Sequence, residues 1–566
     1  MKQYWCDVLV IGGGGAGLMA ANVAASQGNF VLLLNKGWIG HTGSTVMAPG
    51  AFAAVDKSWC SLGDSCGLHL EDTIRSGQQI NNPELAKLVV DGSAGAAIYL
   101  ESMGSCFDRD TSNGHIKLLR PDEGHSYNRA ISFQRRIGQE LLVTLRAAAC
   151  ANHVQLVDNV CVFHLLKSED GDVCGAIGLD SIHLKTVIIQ AKAVILATGG
   201  AGGLYLNSDA PLDITGDGMV LALQAGASLI DMEFIQFHPS GLISPISLRG
   251  LLGAHMSVVH LYNKDGERFM SRYDPISMER ATRDVLSRSM AMEILDGRGS
   301  PLGGVYGSLK HNSIEQLYEK TPEYLRLYQR IGFDPKKDLL QLAPTAHYTM
   351  GGIRVDTLWQ TEVPGLFAAG ECCGGVHGAN RLSQNALSEM LVSGRIAGYS
   401  ASSYAAKAKK KNPDLRTKEA LEEECRILLA QGSENGISPG QWRYYLQSAM
   451  NENVGVIRCR EGLLNAMDRL DSLTQQPMRL SSSSHYMNGE IIQALENQRM
   501  LLLAYCVILS ALIRRESRGA HTRIDYPEAD PHYLRNHIVS LNTDGKPIVY
   551  ASAVQEGRGG RNDGTS

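Results

Sequence analysis

Paired C-x-x-C spacing is missing from the chain, although it has 12 cysteines scattered from Cys6 to Cys506. That pattern removes zinc ribbons and resident iron–sulfur clusters, so no metal site is expected and free thiols in a reducing compartment fit best. An excess of basic charge is missing too. With 53 Lys and Arg against 58 Asp and Glu, the net charge is −5, so nucleic acid is not an expected partner and a small-molecule substrate is. The longest apolar stretch, Met500 to Ile513, ends in Arg514-Arg515-Glu516 and falls short of the roughly 20 residues that cross a bilayer. It reads as a buried helix. No basic segment, apolar core or cleavage site precedes the first apolar run, so an export signal is not expected and a cytoplasmic location is.

What is present is glycine, 60 of 566 residues, and it is concentrated in turns. The stretch Asp7 to Gly17, DVLVIGGGGAG, reads as a buried strand, a tight turn and a helix. In Gly12-x-Gly14-x-x-Gly17, Gly12 turns the strand, Gly14 lets backbone N–H groups approach a pyrophosphate, and Gly17 lets helix and strand pack closely. Taken alone, a glycine-rich turn without a ligand remains an equally plain account. Asn35 stands where an acidic residue would hold an NAD ribose, which argues against a simple nicotinamide site. Lys36 to Gly50 suits either a loop laid along a cofactor or an ordinary surface loop. Val194 to Gly200, an apolar strand ending in Thr-Gly-Gly, supplies a second backbone turn of the same kind. Asp217, in Thr-Gly-Asp-Gly, either caps the helix that follows or faces the cofactor.

Periodicity predicts helices near Leu85–Met103 and Ile137–Ala151, and strands over Val154–Ser168, Cys174–Leu179 and Leu184–Ile189, read as a small sheet inserted into the cofactor domain. Beyond the Lys-rich segment Lys407–Lys411, about Lys418–Leu429, Gln441–Ser472 and Gly489–Arg515 read as long amphipathic helices. Gln555 to Ser566 is Gly-rich, polar and expected to be disordered. The expected fold class is α/β. Residues 1–239 and 345–406 form a Rossmann-like cofactor domain, 240–344 an inserted capping domain, 412–525 a helical bundle, and 526–566 a C-terminal segment.

In order, GGGGAG, ATGG, TGDG, FIQFHPSG, RATRD, TAHYTMGGI, GECCGGVHGANRLSQNAL and RRESRGAHTR form a specific signature. On these motifs the chain resembles the flavoprotein subunit of fumarate reductase and succinate dehydrogenase, a family that includes L-aspartate oxidase, from Asp7 to Val554. The resemblance implies FAD. Its pyrophosphate would lie on Gly12, Gly14, Gly15, Ala16 and Gly17, with Ser44, Thr45, Ala197, Thr198 and Gly199 beside it. Lys36 would lie near the adenosine end, while Asp217, Glu371, Arg381, Asn385, Ala386 and Leu387 would line the ribityl chain and flavin. The family often bonds its flavin to a histidine immediately before Thr-Val. Ser44 stands there and His41 lies three residues earlier, so non-covalent FAD is expected, with a shifted bond to His41 as the alternative.

The resemblance also assigns Arg283 to proton transfer and His238, His347 and Arg381 to fixing and polarising a substrate carboxylate, for which an arginine fork is well shaped. A structural ion pair of Arg283 with Asp284, and structural roles for both histidines, are the competing accounts. One matched position set fails. Where the family usually carries Thr-Glu-x-x-Arg, this chain has Leu251-Leu252-Gly-Ala-His255, which disfavours a plain C4-dicarboxylate. Arg249 and His255 are the residues able to compensate.

The implied activity is hydride transfer between flavin and a carbon–carbon bond beside a carboxylate, on a carboxylate or enoate-type substrate. An iron–sulfur electron-transfer subunit is the implied partner, with any membrane association peripheral and through partners at the cytoplasmic face. The alternatives are a stand-alone oxygen-using oxidase of the aspartate oxidase kind and a non-catalytic flavin-binding electron-transfer subunit.

Overall fold

The chain is described by a computed structural model covering residues 2–119, 124–134, 136–414, 416–430 and 436–554. Strand Lys2–Ile11 is exposed where it begins and buried over its last four residues. It pairs in parallel with Val31–Leu34 on one side and with Thr186–Leu196 on the other. Val31–Leu34 pairs onward with Gln155–Val157. The strands expected to form a separate inserted sheet are part of this same seven-stranded sheet. Thr186–Leu196 is a single long strand: its first half pairs antiparallel with Val173–Asp180 and its last residues pair in parallel with Leu366–Ala368. The expected strand Val154–Ser168 is broken into Gln155–Val157 and Val160–Lys167, with Asn159 between them at φ 59°.

Helix Gly15–Ser26 packs on helix Asn385–Lys407, and small residues set how closely. A Cβ added at Gly394 would stand 2.6 Å from Ala16 O, and one at Gly398 would stand 2.6 Å from Ala20 O. This contact fixes the first turn of both helices around one end of the sheet.

A second layer has its own apolar core, which includes Val259, Leu261, Phe269, Leu286, Met290 and Leu342. Strands Ile235–Leu242 and Leu340–Thr349 pair antiparallel and lead into it, so the expected limits at 239/240 and 344/345 fall inside one strand pair. Helix Arg283–Leu295 rests on that pair, with Ser287 Oγ donating to Phe237 O at 2.9 Å.

Beyond Lys407, helices Arg416–Ala430, Pro439–Asn453, Arg460–Thr474 and Gly489–Ile513 follow. The stretch Gln441–Ser472, read as one helix, is two. The chain breaks at Val454-Gly455-Val456, then pairs Ile457–Arg458 with Thr522–Arg523 before restarting at the Cys459 cap. Gly489–Ile513 is long and apolar enough to cross a membrane, but 61% of its most apolar window is buried within the protein. It is a core helix of the bundle. Strands Arg535–Leu541 and Pro547–Ala553 return to the cofactor domain, where they extend a sheet with Leu229–Ile230 and Gly352–Ile353. The stretch 555–566, expected to be disordered, lies outside the described residues. All 12 cysteines are free thiols.

Candidate functional site: a dinucleotide-sized cavity with a cationic end

A cavity of about 1520 Å³ is lined by the glycine turn, the early loop, the capping layer and helix Gly489–Ile513. The turn is shaped for a phosphate-bearing ligand. At Gly12, φ is 115° and a Cβ would stand 2.2 Å from Ala197 O, while at Gly17 it would stand 1.8 Å from Gly12 O. Those two positions need glycine for close backbone packing. At Gly14 a Cβ would meet only Thr45 Oγ1, at 3.8 Å, so this side of the turn opens into the cavity at the start of helix Gly15–Ser26. Thr198 lines the same cavity, and its buried hydroxyl has no hydrogen-bond partner among the described residues. A large cavity, a helix N-terminus and an unsatisfied hydroxyl fit FAD.

Of the expected cofactor residues, Gly12, Gly14, Gly15, Ala16, Lys36, Ser44, Thr45, Ala197, Thr198, Gly199, Asp217, Glu371, Arg381, Ala386 and Leu387 line the cavity. Gly17 and Asn385 do not. Gly17 acts through helix–strand packing. Asn385 is engaged elsewhere, its Oδ1 2.9 Å from His69 Nε2 and its Nδ2 donating to Thr73 Oγ1 at 3.0 Å. His41 is exposed and outside the cavity wall, whereas Ser44 is on it.

Asp217 is not at the opposite end from Lys36, as expected. Lys36 Nζ donates to Asp217 Oδ2 at 2.7 Å, to Thr215 Oγ1 at 2.8 Å and to Glu496 Oε1 at 2.8 Å. The pairing arises because Gly216, in the left-handed region at φ 79°, turns the chain so that Asp217 enters the first turn of helix Asp217–Ala225 facing the early loop. Arg443 holds the other oxygen of Glu496 at 2.7 Å, which ties the bundle to the cofactor domain.

At the other end, residues from separate segments of the chain converge. Arg283 opens its helix, with Nη1 3.3 Å from His347 Nε2 and Nη2 3.2 Å from Ser383 Oγ. The Asp284 carboxylate accepts instead from Asn380 Nδ2 at 3.1 Å. Arg381 lies 4.6 Å over the Tyr348 ring and donates Nη2–H to Gln236 Oε1 at 2.8 Å. Its Nε has no partner among the described residues. Burial, with the adjacent charge of Arg283, brings the Arg381 guanidinium down to about 10. His238 stacks edge-on to His347 at 5.2 Å, with its Nδ1 3.0 Å from Ser240 Oγ. Burial and then the neighbouring Arg283 hold His238 well below the ordinary imidazole range. Burial pushes the Glu371 carboxyl up to about 8, although Thr349 N–H donates to it at 3.1 Å. A concave site with two guanidinium groups and two neutral imidazoles suits an anion, here a carboxylate.

Asp209, which no motif points to, completes this end, with Oδ2 2.7 Å from His347 Nδ1. Its sequence signal is weak: one acid in a loop between the Ala197–Gly200 turn and the Thr215–Gly218 motif. Leu252 and His255 line the cavity, but Leu251 does not. His255 Nδ1 lies 3.3 Å from Ser257 Oγ. Arg249 points away, its Nε donating to Asn207 Oδ1 at 2.8 Å.

Residues 7–387 match the family "FAD binding domain", and residues 443–556 match "Fumarate reductase flavoprotein C-term". The chain is 39% identical over 547 residues to a subunit of the fumarate reductase (CoM/CoB) of Methanothermobacter marburgensis, spanning 95% of this chain and 98% of that one. It is 32% identical over 585 residues to the fumarate reductase flavoprotein subunit of Escherichia coli, spanning 98% and 95%. Among solved structures, Mycobacterium smegmatis Sdh1 in complex with UQ1 superposes with a TM-score of 0.89 at 34% identity, covering 98% of this chain and 95% of that one. A mutant of the Escherichia coli quinol fumarate reductase FrdA superposes with a TM-score of 0.90 at 32% identity, covering 99% and 98%. With the glycine cradle, the cationic end and these matches along its length, the chain belongs to the flavoprotein subunit family of fumarate reductase and succinate dehydrogenase, FAD-dependent oxidoreductases acting on CH–CH bonds.

Proposed function

We propose that this flavoprotein reduces, or in reverse forms, a carbon–carbon double bond next to a carboxylate, with Arg283, His347 and Arg381 as the substrate-facing residues. The observation that carries this reading is their convergence at one end of the cavity whose other parts fit FAD. Bound there, FAD supplies the hydride for reduction and receives it in oxidation. Arg381 and His347 hold the carboxylate, which orients the double bond and draws electron density toward the carboxylate as a carbanion develops beside it. Arg283 Nη delivers the proton to that carbon, so hydride and proton together give the saturated acid. An arginine does this only where it is held tightly and kept from water, and its contacts to His347 and Ser383 supply the holding. The cofactor is held without a covalent bond, since Ser44 and not a histidine stands before Thr45-Val46 on the early-loop wall of the cavity.

Relatives are named as flavoprotein or other subunits of fumarate reductases, so they work within larger assemblies, which supports an iron–sulfur partner that exchanges electrons with the flavin. A related solved structure is of a quinol fumarate reductase with menaquinol, which supports work at the cytoplasmic face of a membrane through such a complex. The substrate is an acid with one carboxylate at the Arg381 end and a less polar group against Leu252. The direct test is to reduce the purified flavoprotein without oxygen and add unsaturated acids singly. Reoxidation by an enoate with formation of the saturated acid is expected. Reoxidation by oxygen alone, with peroxide released and no enoate consumed, overturns the reading.

A further inference from the structure

Asp209 and His347 are locked to each other by the backbone as well as by their side chains. Asp209 N–H donates to Ala346 O at 3.1 Å, so the strand that carries His347 also positions Asp209. Asp209 Oδ2 then stands 2.7 Å from His347 Nδ1, and on the far side of the ring His347 Nε2 stands 3.3 Å from Arg283 Nη1. A guanidinium only donates. In that contact Nε2 is therefore the acceptor, and the ring hydrogen is on Nδ1, directed at Asp209 Oδ2.

A substrate carboxylate also only accepts. Arriving between Arg283, Arg381 and His347, it needs a hydrogen on Nε2. His347 cannot supply one by rotating its ring, because Asp209 holds Nδ1. We propose that Asp209 is a positioning residue that lets the Asp209–His347 pair hold a second proton when the substrate carboxylate binds, drawn from water where the free pair lacks it, which converts Nε2 from an acceptor of Arg283 into a donor to the substrate. This rests on the reading that His347 and Arg381 hold that carboxylate. The balance is simple: one proton enters from water, no electrons move, and the Asp209–His347 pair goes from one dissociable proton to two, shared along the Nδ1–Oδ2 contact.

The surroundings oppose a cation on His347 and favour a neutral pair. Arg283 faces it from its helix, Arg381 from the segment before helix Asn385–Lys407 and His238 from strand Ile235–Leu242, while His255 of the 251–258 segment acts on His238 and Glu371 of the turn Gly370–Cys372 on Asp209. Burial pushes the Asp209 carboxyl up to about 8 despite both arginines, while burial and the same arginines hold His347 well below its ordinary value. The second proton therefore resides mainly on Asp209. Below about pH 8 the free pair is already loaded and affinity is flat. Above it the proton must be drawn from water, and affinity falls about tenfold per pH unit.

The test uses the oxidised, FAD-loaded protein with fumarate and crotonate as probes, neither of which oxidised flavin reduces, and reads dissociation constants from the flavin absorbance on both sides of pH 8. The expected result is flat affinity with little proton uptake well below pH 8, and above it that slope with uptake approaching one proton per acid bound, measured calorimetrically in buffers of different ionisation enthalpy. Asp209→Asn keeps a partner for Nδ1 but exchanges no proton, so the slope and the uptake should vanish while the flavin spectrum stays unchanged. Asp209→Glu should restore both. Acid binding that Arg381→Ala weakens, but with no proton uptake above pH 8 or with the same slope in Asp209→Asn, overturns the inference alone. If neither acid binds, or if Arg381→Ala leaves binding unchanged, the carboxylate site itself is misplaced and the inference falls with it.

Discussion

Arg283 Nη1 and His347 Nε2 meet at 3.3 Å where a helix of the capping layer lies on the strand Leu340–Thr349. Arg283 belongs to a helix of the layer with its own apolar core, His347 to the strand Leu340–Thr349 that links the layers. Because that helix rests on the strand pair Ile235–Leu242 and Leu340–Thr349, packing within one layer brings the two side chains together at the cavity wall.

Separate roles for the two arginines make separate kinetic outcomes. Arg283→Lys should leave acid binding nearly intact while lowering turnover by orders of magnitude, since its contact with the reacting carbon is made in the transition state. Arg381→Ala removes a buried cation from a bound anion and should weaken binding as well, by roughly 2–5 kcal/mol. Steady-state kinetics together with flavin-monitored binding distinguish the two. Full activity in Arg283→Lys removes it from proton transfer.

Acid precipitation should release the flavin into the supernatant. Ser44 is on the cavity wall and His41 is exposed outside it, so the early loop places no imidazole on the wall. Yellow colour retained in the pellet, with a flavin-bearing peptide containing His41, would contradict this.

The glycine turns and the Arg-Ala-Thr-Arg-Asp and His-Tyr motifs are legible in the sequence because close backbone approach and carboxylate binding restrict residue type at fixed spacing. Sequence alone misplaces Asp217 and Asn385, because a motif gives a residue's neighbours in sequence and not the rotation of its side chain. Asn385 is turned toward His69, 316 residues away. Asp209 escapes notice for a similar reason, since its partner is 138 residues on and becomes adjacent only when Ser208 bridges to Ala346. The seven-stranded sheet reads as two because Gln190 and Lys192 interrupt the apolar pattern of a strand that continues through them.

Lys36 links the early loop, helix Asp217–Ala225 and the bundle through partly buried carboxylates. Lys36→Met leaves Asp217 without its cation and Glu496 with only Arg443, and should lower the unfolding free energy by about 3 kcal/mol. Lys36→Met combined with Glu496→Gln should recover part of that. Denaturant unfolding followed by flavin release measures both, and an unchanged midpoint in Lys36→Met would show that the link contributes little.

Substrate choice follows from what faces the far end of the acid. Leu252 is on the cavity wall, Leu251 is not, and Arg249 is engaged with Asn207, so His255 is the polar side chain of the 251–255 segment that lines the cavity. A second carboxylate set against Leu252 would lose hydration without gaining a full partner, a cost of about 2–7 kcal/mol when a polar group goes unpaired. Crotonate or the monomethyl ester of fumarate should therefore be reduced with at least about tenfold higher kcat/KM than fumarate, a difference of about 1.4 kcal/mol. Leu252→Glu would repel a second carboxylate unless protonated, whereas Leu252→Thr adds a neutral hydroxyl donor, so Leu252→Thr should move the preference toward fumarate. His255→Ala identifies the remaining contact. If fumarate is instead the best acid, with micromolar affinity that His255→Ala abolishes, His255 supplies the second carboxylate's partner. If His255→Ala leaves that affinity intact and Arg249→Ala removes it, the loop carrying Arg249 closes onto the bound acid.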